Sequence, residues 1–153
     1  MIVKRAAALS VAVLLMCAPG QASESRADSN KALVMRFIQD AFVVHDVQRA
    51  GQLLRPDYVQ HDPALADGRL AFVRFFTNFF RSRPKAHLVV KHVFVDGPYV
   101  IVHAYLAGAN LVPGPDPQGA SVDIFRIQGD RIAEHWGVIQ LRPKVSANTH
   151  PFF

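Results

Sequence analysis

The sequence predicts an α+β domain in which N-terminal helices pack on one face of a curved antiparallel sheet. Three observations carry this. Apolar residues recur at helical spacing as far as Phe80, the period changes to two after Pro84, and Ser121 to Gln140 reads as a β-hairpin reversing at Gly129-Asp130. With 153 residues, the chain is long enough for one domain whose core needs no metal or disulfide staple.

The first segment stands apart from that domain. Lys4 and Arg5 precede the apolar run Ala6 to Cys17, and Ala18-Pro19-Gly20-Gln21-Ala22 then offers small residues. This is the order of a secretory signal peptide, with cleavage expected after Ala22. The run is shorter than the about 20 residues a membrane span needs, so no stable membrane insertion is expected after cleavage. Met16, before Cys17, is not the small residue of a lipoprotein site, and Cys17 is the single cysteine, so residues 23–153 are read as an exported, disulfide-free domain. The expected location is the periplasm or the exterior. Removing Lys4 and Arg5 lowers the net charge from +5 to +3, and only Arg81, Arg83 and Lys85 cluster, which argues against a nucleic-acid partner.

From Asp28 to about His45, Leu33, Val34, Phe37, Ile38, Ala41 and Phe42 mark an amphipathic helix. Asp46 to Leu54 reads as a second short helix ended by Arg55-Pro56, followed by a loop from Asp57 to Pro63. Asp67-Gly68 starts a third helix through Phe80, whose phenylalanines promise an apolar interior. Lys85 to Asp96 and Tyr99 to Ala107 are strands joined at Gly97-Pro98. Asn110 to Gly119 is a Pro- and Gly-rich loop, the hairpin adds two more strands, and the tail from Lys144 is expected to dock.

Candidate acid/base residues are His61, Asp62, His103, Asp123 and His135. In an apolar cavity such groups can hold and move a proton beside a carbonyl. No HxH or HExxH spacing is present, so no metal is expected. If the hairpin is regular, Gln128 pairs with Arg131, Asp123 faces Trp136, and Phe125 faces Glu134. Asp123 and His135 then lie on opposite faces unless a bulge intervenes, and bulges gather beside active sites. Asp123 also has a structural reading, as an acceptor for Arg126, Trp136 or a backbone amide.

The strings Tyr58-Val-Gln-His-Asp-Pro63, Asp67-Gly68, Val102-His103, Val122-Asp-Ile-Phe-Arg126, Ile132-Ala-Glu-His-Trp136 and Ser146-Ala-Asn148 resemble the SnoaL-like polyketide cyclases of the NTF2-like superfamily. The resemblance implies an NTF2-like, cystatin-like cone around an apolar pocket, a homodimer, and cofactor-independent lyase, isomerase or aldol-type cyclase chemistry on a small apolar carbonyl compound. Tyr58, Phe76, Tyr105, Phe125 and Trp136 are the expected pocket residues. The family's last strand usually reads Glu-His-Trp-Asp, whereas Gly137 follows Trp136 here, and its loop usually reads His-Asn-Pro, whereas Asp62 stands here. The alternative is a non-catalytic periplasmic binding protein or a dimeric interaction module of the same fold.

Overall fold

Hydrophobic periodicity first builds a helical layer. In the computed structural model, which describes residues 19–111 and 119–151, helix α1 spans Pro19–Ile38 and runs on through a π-helical turn, Gln39–Val43. The signal-peptide reading lies largely outside the described residues, and its proposed cleavage point falls within α1. Leu33, Val34, Phe37 and Ile38 form one buried stripe at the spacing the sequence predicts. Helix α2, Val47–Gly51, is capped by Asp46, whose carboxylate accepts the Arg49 backbone N–H at 3.0 Å. Helix α3, Arg69–Ser82, begins at Gly68, where φ of +92° suits a residue without Cβ.

Five strands follow or interleave these helices: β1 (Leu54–Gln60), β2 (His87–Asp96), β3 (Tyr99–Ala107), β4 (Gly119–Gln128) and β5 (Arg131–Leu141). The expected helix end and loop around Pro56 is instead the edge strand β1. An edge tolerates proline, whose missing N–H costs no ladder bond on the open side. The sheet order is β1-β5-β4-β3-β2, and β1 pairs parallel to β5 while every other pair is antiparallel. The sheet is therefore mixed rather than wholly antiparallel, curved and unclosed.

The helices cover one sheet face. Val100, Val102 and Ala104 on β3 are fully buried, and Phe37 meets the Phe72 ring at 5.3 Å and the Phe125 ring at 5.7 Å. Such edge and tilted contacts join α1, α3 and β4 into one apolar core. Residues 142–151 are exposed throughout, so this polar part of the tail lies on the surface, while the aromatic end at 152–153, on which the expected docking rests, lies outside the described residues. No helix among the described residues is long and apolar enough to cross a membrane.

Candidate active site

The hairpin departs from regular pairing at one residue. Gln128 pairs with Arg131 and Ile127 with Ile132, but Arg126 then pairs with Glu134, leaving Ala133 as an extra residue on β5. This bulge shifts the face of every later β5 side chain. Asp123 consequently pairs with Gly137, and Phe125 with His135, so Asp123 and His135 share the inner face. The regular register expected from the sequence, with Asp123 opposite Trp136, is corrected by the bulge.

Between the helices and that inner face lies a cavity of about 590 Å³. Its walls are mainly apolar, with Phe37, Phe42, Phe72, Phe76 and Phe125 among them, and its polar side chains come from Tyr58, Gln60, Asp62, Ser121, Asp123 and His135. His135 Nε2 stands 3.1 Å from Asp123 Oδ1, and its ring lies 4.9 Å from that of Phe125. Asp123 Oδ2 accepts the Ser121 hydroxyl at 2.8 Å rather than Arg126 or Trp136. His135 Nδ1 stands 3.0 Å from Gln60 Oε1. The amide nitrogen of Gln60 donates to the Tyr58 hydroxyl at 3.1 Å.

Burial first, and then the negative charges of Asp123, Asp67 and Asp62, push the Tyr58 hydroxyl well above its ordinary range. Tyr58 is thus a neutral donor at physiological pH. Asp62 is held at the rim, where its backbone N–H donates to Gln60 Oε1 at 3.0 Å and its Oδ1 accepts the Ala64 N–H at 2.9 Å.

Gly137 leaves room for the pair. A Cβ on this residue would sit 3.0 Å from His135 Cε1 and 3.3 Å from Asp123 Oδ1. Where the resemblance implies an aspartate, Gly137 instead leaves space in which the His135 ring and the Asp123 carboxylate meet.

Several expected site residues lie on the opposite sheet face. His61 follows Gln60 out of β1, stacks on Trp136 at 4.2 Å, and reaches Glu134 Oε2 at 3.0 Å. Trp136 itself is turned outward by the Ala133 bulge. His103 and Tyr105 alternate with the inward Val102 and Ala104; His103 Nδ1 meets His92 Nδ1 at 3.1 Å, and the Tyr105 ring takes the Lys91 ammonium at 5.8 Å. His61, His103, Tyr105 and Trp136 therefore do not line the cavity, whereas Tyr58, Asp62, Phe76, Asp123, Phe125 and His135 do. Gln60 and Ser121 also line the cavity, and neither stands out in the sequence. Gln60 lies two residues after Tyr58, so strand alternation puts both on one face, a signal hidden while the segment reads as loop. No group of three or more metal-ligating side chains occurs among the described residues.

Helices followed by a curved, unclosed five-stranded mixed sheet make an NTF2-like α+β cone fold. Residues 34–135 match the SnoaL-like domain family, and the chain belongs to that family. The structure is similar to an NTF2-like protein of unknown function from Mesorhizobium loti, with 22% identity, a TM-score of 0.61, and coverage of 75% of this chain and 93% of that one. It is also similar to a candidate polyketide cyclase from Bacillus cereus, with 16% identity, a TM-score of 0.61, and coverage of 76% and 78%. A candidate ketosteroid isomerase from Kribbella flavida gives 15% identity, a TM-score of 0.60, and coverage of 81% and 85%. No curated protein matches the chain at a significant level.

Proposed function

We propose that this SnoaL-like protein is a cofactor-independent lyase or isomerase acting on a small apolar carbonyl compound. The observation that carries the reading is the Asp123–His135 contact at 3.1 Å, set into a cavity walled largely by phenylalanines. Apolar walls take up the hydrocarbon body of a ligand and exclude water, which strengthens every interaction at the polar groups. The Tyr58 hydroxyl supplies a hydrogen bond to the carbonyl oxygen, the Asp123–His135 pair exchanges a proton with the substrate, and Asp62 provides a second carboxylate on the same cavity. The proton taken from carbon is returned elsewhere on the substrate or leaves with a departing oxygen.

The test is deuterium exchange at the carbon next to the carbonyl, run on a panel of cyclic and aromatic ketones. The wild-type protein is expected to catalyse exchange, and Asp123→Asn and His135→Ala each to lose about 100-fold or more. Saturable binding of an apolar fluorescent probe with no exchange on any ketone overturns the catalytic reading in favour of a binding protein.

Export and dimerisation belong to the same proposal. Lys4, Arg5 and the apolar run after them support export, and mass analysis of the secreted or periplasmic protein is expected to show a chain starting at Ser23. On the sheet face away from the helices, Tyr99, Val122 and Val138 are exposed, and Phe94 is 60% exposed. Covering this apolar face with a second copy of the chain supports a homodimer, which light scattering would detect.

A further inference from the structure

Gln60 ends β1, where its parallel pairing with His135 puts both side chains on the inner face. The two ends of an amide have nearly the same shape, so its orientation is read from its partners. Two partners decide it here. The backbone N–H of Asp62 can only donate, and it lies 3.0 Å from Gln60 Oε1; at the other end Nε2 donates to the Tyr58 hydroxyl at 3.1 Å. The atom facing His135 Nδ1 at 3.0 Å is thus an acceptor oxygen, and Nδ1 must carry a hydrogen.

The opposite side of the ring then follows. A neutral imidazole protonated at Nδ1 presents a lone pair at Nε2, and Asp123 Oδ1, 3.1 Å away, presents another if the carboxylate is ionised. Two lone pairs do not make a hydrogen bond, so the contact closes only with one further proton between Nε2 and Oδ1. Ser121 donates to the other carboxylate oxygen, so that proton is shared along the Nε2–Oδ1 line rather than held at Oδ2.

We infer that Gln60 is a positioning residue that holds His135 as its Nδ1–H form and so keeps a proton stored on the Asp123–His135 contact before any ligand arrives. This rests on reading the cavity as a proton-transfer site. The pair then begins as an acid. It gives its proton to the substrate's carbonyl oxygen, forming an O–H bond, while the C–H bond next to the carbonyl breaks and its proton passes to Asp62. Reversal at a different carbon completes an isomerisation with no net proton change. The titratable groups that face the pair are Asp62 and Tyr58, from β1 and the loop after it. Asp67 accepts the Gln60 backbone N–H at 2.7 Å, and the described cavity lining holds no Lys, Arg or Glu.

The experiment is a long-range proton–nitrogen correlation spectrum of the full protein labelled with ¹⁵N-histidine, the His135 signals being identified by their loss in His135→Ala. A protonated Nδ1 is expected in the wild type and in Gln60→Glu, which keeps an acceptor oxygen. In Gln60→Leu the ring is expected to turn to its Nε2–H form, donating to Asp123, with a bare Nδ1. A bare Nδ1 in the wild type, or a pattern unchanged in Gln60→Leu, overturns the inference. The ketone-exchange assay separates the two readings: the expected spectrum without exchange sinks the proposed activity and leaves Gln60's role standing, while a bare Nδ1 in an active protein does the reverse.

Discussion

Gly137 faces Asp123 directly across the β4–β5 ladder, and the Cβ it lacks would lie 3.3 Å from Asp123 Oδ1. The same Cβ would lie 3.0 Å from His135 Cε1, so even a methyl group presses on both partners of the Asp123–His135 contact. Gly137→Ala is expected to slow ketone exchange about tenfold, because misplacing a catalytic group by a fraction of an ångström is costly. Stability is expected to change by no more than about 1 kcal/mol, since alanine suits a strand better than glycine. Kinetics and urea denaturation on one sample check both; an unchanged rate would remove the glycine from the argument.

The histidines should divide by sheet face. His61→Ala and His103→Ala, whose rings lie outside the cavity, are expected to leave ketone exchange unchanged, in contrast to His135→Ala. Equal losses from all three substitutions would contradict the register that the Ala133 bulge imposes.

Glu134 gives a pH-dependent stability effect. The hydrogen bond from His61 and then that from Arg126 hold its carboxyl below the ordinary glutamate value of 4.5. A carboxyl depressed in the folded state adds stability above its unfolded value, and that stability disappears as pH falls through the folded value. Wild type is therefore expected to be more stable than Glu134→Gln above about pH 5, with the gap closing as pH drops below about 4.5. Denaturation midpoints of both proteins across pH 3 to 7 measure this.

Phe37 tests the core. It is 2% exposed and touches the rings of Phe42, Phe72 and Phe125. Phe37→Ala is expected to cost about 3–5 kcal/mol, and Phe75→Ala, whose side chain is 43% exposed, much less. Chemical denaturation of the two variants gives the comparison.

Much of the fold is legible in the sequence where one period dominates. The α3 phenylalanines, the alternating β3 run and the Gly129 reversal, at φ +67°, are each local signals that the packed structure keeps. Strand β1 is not legible, because Pro56 breaks its pattern and its partner β5 lies far along the chain. The site is harder still. Asp123 and His135 are readable as residue types, but their meeting depends on Ala133, whose trace is that it and Ile132 are adjacent apolar residues, a pattern that Val138 and Ile139 repeat without a bulge; Ile132 and Ala133 are both buried. The outward turn of Trp136, and with it the His61 stack, has the same cause.

The extra residue at Ala133 makes the chemistry of the cavity a matter of counting. Regular pairing of the same residues, with no bulge at Ala133, would bring Glu134 and Trp136 inward and send His135 out, exchanging an imidazole–carboxylate pair for a carboxylate and an indole with no change in composition. Two relatives with the same string of letters in this hairpin can therefore carry different interiors. Transfer of a role from one to the other has to follow the pairing of the strands rather than the column of an alignment.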